Sequence, residues 1–235
     1  DGNAMTVSKT FSEPGRLHTT YNFDLLEWDG LNVLELKEAI ANAIQAFNGS
    51  GRLCFAFSNH DVPRSASRQL SPLGITLDKQ DDLQLLLLQL ETSLIGSSCI
   101  YQGEELGLSD VTNIQFDKMK DPWGLNFYPE FLGRDTCRTP MVWEKNKPMG
   151  GFTSANEAWL PISELHMEKA GLDMAKSEGS IYNKFSSFLK WRRKQPAMIS
   201  SNKMSEVFGG PSEIIFDRES ETQILRCKFD FELVK

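Results

Sequence analysis

The sequence predicts an α/β fold built on a parallel sheet, followed by a short antiparallel β region. Three observations carry this. Between residues 17 and 106, strand-like and helix-like segments alternate, and Gly closes the strands, the pattern of repeated βα units with connections of barrel-like length. The segment RLCFAFS (52–58) is apolar on both faces, as a parallel strand covered on each side requires. Beyond residue 205, EVFGG, SEIIFDRE and TQILRCKFDFELV are strand-like runs joined by polar turns.

Taken in order, LHTTYNFDLL (17–26) reads as a short strand ending in turn chemistry. WDGLNVLELKEAIANAIQAF follows as a helix with Leu36, Ile40, Ile44 and Phe47 on one face, stopped by Asn48, Gly49, Ser50 and Gly51. RLCFAFS is the second strand. Residues 79–94 form a second helix whose Leu run implies burial nearly all round. SSCIYQG is the third strand, closed by Gly103. From about 109 to 160 the chain is rich in Pro, Gly, Trp and Asn without a sustained period, and long irregular insertions of this kind are usually functional. SIYNKFSSFLKWRR (180–193) returns to helix, with Tyr182, Phe185, Leu189 and Arg193 tracking one face and Pro196 ending it. The antiparallel region is entered near residue 200.

Composition narrows the function classes. An apolar content of 40% with five Trp and fifteen Phe supports a packed core. A net charge of −7 argues against nucleic acid or an anionic membrane surface as partner. The run DLQLLLLQLETSLIG is broken by Gln89, Glu91 and Thr92, so no membrane span is expected. Four Cys (Cys54, Cys99, Cys137, Cys227) lie far apart without CxxC spacing, which favours free thiols in a reducing compartment and a cytoplasmic location. His18, His60 and His166 form no local metal motif, and no cofactor is expected.

The point of chemical interest is FAFSNHDVPR (55–64), where a buried run stops at Asn59-His60-Asp61. In parallel α/β folds the carboxyl ends of strands carry the chemistry, because loops converge there. Placement alone also allows a plainer reading, in which Asp61 caps the following helix and His60 makes a structural hydrogen bond.

The residues themselves extend the reading. FAFSNHDVPR resembles the segment closing the seventh barrel strand in the α-amylase superfamily of glycoside hydrolases. IYQGEELGL resembles that family's eighth-strand segment, and RLHTTYNFDLL its sixth. GRDTCRTPMVW is similar to the RDGxRTPMxW signature of the α-glucosidase and oligo-1,6-glucosidase branch, with Thr136 where the pattern has Gly. GFTSANEAWLPI and LKWRRKQPAM follow in the family's order, so the likeness runs from about residue 16 to 198. It implies strands six to eight of a (β/α)8 TIM barrel over residues 1–200. Residues 201–235 would be the truncated start of an antiparallel β-sandwich domain.

The resemblance also implies roles. Asp61 matches the carboxylate that stabilises the transition state, His60 a donor to hydroxyls of the same sugar, and Arg134 an arginine holding the non-reducing sugar. Arg64 resembles a residue near the mouth of the site, with a surface or helix-start role as the alternative. Asp135 and Arg138 are expected to brace the Arg134 loop, and Gln102, Glu104 and Glu105 to fix a strand end. Phe127, Tyr128 and Trp143 are candidates for sugar stacking or for packing.

Retaining glycosidases need two carboxyl groups about 5–5.5 Å apart, one nucleophile and one general acid/base. The family's nucleophile lies in a DGxRxD-type stretch closing the fourth strand, and its acid Glu closes the fifth; neither stretch is present in this sequence. The expectation is therefore part of a retaining α-glucosidase acting on α-glucoside oligosaccharides, inactive alone and partnered by an N-terminal barrel half. The alternative is a non-catalytic relative that binds carbohydrate or protein.

Overall fold

The computed structural model of the protein describes residues 4–47, 52–201 and 203–235. Helix α1 (Ala4–Phe11), not expected from the sequence, precedes strand β1 (Thr20–Tyr21), and Thr20 Oγ1 donates to Ser8 O at 3.2 Å. Helix α2 (Val33–Phe47) starts with a reciprocal cap. Asn32 Oδ1 accepts from Leu34 N and Glu35 N (2.9 and 3.1 Å), and Glu35 Oε2 accepts from Asn32 N at 2.8 Å. Its buried face is Leu36, Ala39, Ile40, Ala43 and Phe47, with Ile44 at the margin. The expected stop at Asn48–Gly51 lies outside the described residues.

Strand β2 (Leu53–Phe55) leads through the short helices α3 (Ser65–Arg68) and α4 (Leu70–Leu73) into α5 (Gln80–Ser93) and strand β3 (Ser97–Ser98). The three strands form a parallel sheet in the order β1-β2-β3, with Tyr21 opposite Cys54 and Cys54 opposite Ser97. The ladder is shorter than the apolar runs that predict it, because other acceptors take over at the strand ends. Asn22 N and Cys99 N still donate to Cys54 O and Phe55 O, but Phe57 N turns to the Glu91 side chain at 3.3 Å. In α5 all the Leu residues are at least partly buried, and Glu91 is buried with them.

The insertion holds only 3₁₀ turns and one short helix, α6 (Pro122–Phe127). Helices α7 (Glu164–Glu168), α8 (Gly171–Lys176), α9 (Ile181–Arg192) and α10 (Pro196–Ile199) follow. In α9 Phe185 is buried and Leu189 packs against the same cluster, as expected, whereas Ile181 takes the buried place expected of Tyr182, and Arg193 is exposed. Pro196 opens α10.

Strands β4 (Lys203–Met204), β5 (Glu213–Glu219) and β6 (Ile224–Asp230) form the antiparallel sheet. EVFGG contributes only a bridge, Phe208 opposite Ile215, and the end of the last run curls into a 3₁₀ turn at Phe231–Val234. Ile214, Phe216 and Phe229 pack in one cluster with Leu36, Ile40, Leu83 and Leu87, so a single core joins both sheets. Arg218 fastens them. It is 2% exposed and donates to Ser93 O (2.7 Å), Leu94 O (2.9 Å) and Ser201 O (2.8 Å), satisfying carbonyls at the end of α5. The four cysteines are free, and among the described residues no helix is long and apolar enough to cross a membrane.

Replacing Arg218 with Leu leaves those carbonyls without their donor, and we expect a loss of about 2–4 kcal/mol in urea unfolding. An unchanged midpoint would show that the clasp contributes nothing. Glu91 gives a pH test. Burial, reinforced by the nearby Glu104 carboxylate, raises it well above the ordinary glutamate range. The neutral form is thus the one the fold accepts, and its contribution is lost as pH rises from the ordinary glutamate range through the raised folded value. Glu91→Gln should therefore stabilise the chain at about pH 8 and lose that advantage towards about pH 4. A gap in unfolding midpoint that does not change with pH would contradict this.

Candidate active site

The turn after β2 explains where the polar triplet sits. Phe55, Ala56, Phe57 and Ser58 are buried, and the chain then reverses. Asn59 Oδ1 accepts from Asp61 N (2.7 Å) and Val62 N (3.2 Å), an Asx turn that takes over from the ladder. Ser58 Oγ accepts from Ser65 N at 2.8 Å and fixes the start of α3. Asp61 is thereby presented at the strand end with its side chain 48% exposed.

Three side chains converge on it. Its Oδ1 accepts from Arg134 Nη1 (3.1 Å) and Arg138 Nη2 (2.9 Å), and His60 Nε2 stands 3.4 Å from Oδ2. Arg138 also donates through Nε to His60 O at 2.6 Å, gripping the turn by its backbone. The structure thus brings Asp61, His60 and Arg134 together, and adds Arg138 as a direct partner of Asp61.

Arg134 is held from behind by Asp121, a residue the sequence reading passed over. Asp121 is 2% exposed. Its Oδ2 accepts from Arg134 N (2.7 Å) and Nε (3.0 Å), and its Oδ1 from Arg134 Nη2 (2.8 Å) and Trp123 N (3.3 Å). The Arg134 hydrogen bonds hold the Asp121 carboxyl well below the usual carboxylate range, and Asp121 in turn raises the Arg134 guanidinium. Asp135 Oδ2 returns the brace, accepting from Lys120 N (2.6 Å) and Asp121 N (2.9 Å). Of the two residues expected to brace the Arg134 loop, Asp135 thus binds segment 120–121, whereas the Arg138 side chain binds Asp61 and His60 O. An Asp before Pro at a helix start reads as an N-cap, which Asp121 also is. Nothing local in the sequence marks its second task.

Arg64 lies elsewhere than the mouth of the site. It is 1% exposed, donating from Nη1 to Gln102 O (2.7 Å) and Nη2 to Cys137 O (3.0 Å), with its N–H on Asp110 Oδ2 at 3.0 Å. Its guanidinium lies over the Tyr101 ring. The physical reason is supply: the loop after β3 and the 3₁₀ turn at Asp135–Cys137 leave carbonyls that need a donor, and Arg64 is the residue placed to provide it. It also opens α3, the helix-start alternative.

Glu104 accepts from Ser65 Oγ and Tyr101 N (both 2.8 Å), and Glu105 accepts from Gly103 N at 2.8 Å, so both side chains are committed to the strand end. Phe127, Tyr128 and Trp143 are all exposed, and Tyr128 packs on Phe116. The aromatic ring over the Arg134 guanidinium is instead Trp123, 6.0 Å away, clustered with Trp28 and Phe131. His166 is buried on Ser109 O at 2.8 Å, and burial pushes it down to about 4. Among the described residues, no group of three or more His, Cys, Asp or Glu is arranged to hold a metal ion.

Residues 10–201 match the family model described as the alpha amylase catalytic domain. A probable alpha-glucosidase of Rhizobium meliloti (strain 1021) is 40% identical over 183 residues, covering 78% of this chain and 32% of the relative. An oligo-1,6-glucosidase of Halalkalibacterium halodurans is 25% identical over 231 residues, covering 88% of this chain and 40% of the relative. The crystal structure of the alpha-glucosyl transfer enzyme XgtA superposes with a TM-score of 0.85 at 32% identity, covering 97% of this chain and 41% of that one. The trehalose-6-phosphate hydrolase of Bacillus licheniformis shares the fold at a TM-score of 0.81 and 21% identity, with 98% and 46% covered. These solved neighbours are TIM-barrel enzymes, and the chain spans between about a third and two fifths of the length of the two curated relatives. With the catalytic-domain match running from residue 10 to 201, the chain belongs to the α-amylase family of glycoside hydrolases.

Proposed function

We propose that the chain is the C-terminal portion of a retaining α-glucosidase acting on short α-glucoside oligosaccharides. In this reading β1, β2 and β3 are strands six to eight of the (β/α)8 barrel, which runs to about residue 200, and residues 201–235 begin the β-sandwich domain. The observation that carries it is Asp61: a half-exposed carboxylate at a strand end, held by two arginines and beside an imidazole.

That arrangement suits a transition state with positive charge on the sugar ring. A carboxylate pinned by a turn and two guanidinium groups cannot relax away when a distorted sugar replaces water. Its hydrogen bonds to ring hydroxyls can therefore favour the distorted geometry over the ground state. His60, largely exposed beside Oδ2, can donate to the same sugar. Arg134, oriented by Asp121, presents N–H groups at the same place. Breaking the glycosidic bond also requires a nucleophile and an acid/base about 5–5.5 Å apart. In this reading both come from the N-terminal barrel half, and the 235-residue chain alone has no turnover.

The experiment is an assay on p-nitrophenyl α-glucoside with the chain alone, with its N-terminal barrel half, and with Asp61→Asn in the combined protein. We expect activity only in combination, and a fall in kcat/KM of about 10³-fold or more for Asp61→Asn. Full activity of the variant would sink the assignment of Asp61. Glucose or maltose binding with no turnover in any combination would favour a carbohydrate-binding relative.

A further inference from the structure

The Asp121–Arg134–Asp61 chain has a consequence beyond holding a loop in place. A guanidinium offers five N–H donors in a fixed fork. Asp121 occupies the side-on edge of that fork, through Nε and Nη2, while Nη1 reaches Asp61. One N–H on Nη1 and one on Nη2 remain without a protein acceptor among the described residues, beside a half-exposed carboxylate.

We propose that Asp121 is a positioning residue for the sugar site: it divides the Arg134 guanidinium between two carboxylates, so that Asp61 and Arg134 both keep hydrogen-bonding capacity for glucose hydroxyls. This rests on the reading that Asp61 and Arg134 hold the sugar. Without a rival carboxylate, a guanidinium beside Asp61 is free to adopt the bidentate pairing that Arg–carboxylate geometry favours. Such a pair would fill the acceptor oxygens the sugar needs, and the site would close on itself.

Two features show that Asp121 is built to win that competition. The carboxylate is buried and accepts four hydrogen bonds, so moving it would strand a charge out of water. Its approach to Arg134 also depends on an absent side chain. Gly133 has φ +66°, and a Cβ there would come within 2.6 Å of Asp121 Oδ2. The Asp135 side chain then holds the backbone of Lys120 and Asp121 against drift.

The test has two arms. In the first, the crystal structure of Asp121→Asn in the 235-residue chain is expected to show Arg134 turned into a bidentate pair with Asp61; an Arg134 left where it was would overturn the proposal. This arm needs no activity. In the second, Asp121→Asn is measured in the full-length protein carrying this segment. A fall in kcat/KM of about 10–100-fold is expected, shrinking to less than about threefold when Arg134 is already Ala. Equal losses in both backgrounds, or no loss at all, would overturn it, since a merely structural role would act regardless of Arg134. Should Asp121→Asn not fold, Asp121→Ser, which keeps a capping oxygen at the start of α6, removes the same grip on Arg134 and is held to the same pair of outcomes. If instead Asp61→Asn is fully active, the failure lies with the sugar-site reading, and the first arm still decides whether Asp121 positions Arg134.

Discussion

One buried guanidinium, that of Arg64, ties together the segments that meet at the site. It donates to Gln102 O in the loop after β3 and to Cys137 O in the Arg134–Arg138 turn, while the Arg64 backbone N–H donates to Asp110 at the start of the insertion. A buried charge costs several kcal/mol unless it is paired, and two of the guanidinium nitrogens meet carbonyl acceptors that hold these stretches to one another. Gly103 makes room for the wedge: with φ +91°, it has no side chain where a Cβ would stand 3.0 Å from Arg64 Nη1. Asp61, three residues upstream, inherits its position from this junction.

The same device recurs at two other junctions. The parallel strands are only two or three residues long in their ladder, which leaves carbonyls that need donors. Arg68 supplies Leu25 O, Glu27 O and Pro63 O, and Arg218 supplies the carbonyls ending α5. Burial pushes Arg68 down to about 10, which leaves it protonated at neutral pH. Directed side-chain donors thus substitute for a longer ladder, and they allow loops to begin close to the sheet.

What the sequence made legible was whatever has a period or a boundary. The helices over 33–47, 80–93 and 181–192 follow from apolar spacing, and Asn59-His60-Asp61 from the abrupt end of an apolar run. Strand extents did not follow, because a run such as RLCFAFS cannot say that Phe57 N will choose Glu91 over a neighbouring strand. The place of Arg64 was hidden for a similar reason: an exposed and a buried arginine read alike until the carbonyls around it are known. Asp121 was hidden by its dual use, since the cap is local while the grip on Arg134 reaches thirteen residues along the chain, past α6.

The reciprocal bracing, by Asp121 on Arg134 and by Asp135 on the backbone of Lys120 and Asp121, is confined to a stretch of sixteen residues. With the turn that follows it to Arg138, that stretch is a cartridge with its own internal frame, joined to the rest through Arg64 on Cys137 O, through Arg134 and Arg138 on Asp61, and through Trp28 against Trp123 and Phe131. Such a unit can vary in its outer loops while delivering two cations to one spot. Around a fixed strand end, diversification would then proceed by swapping cartridges rather than by redrawing the barrel.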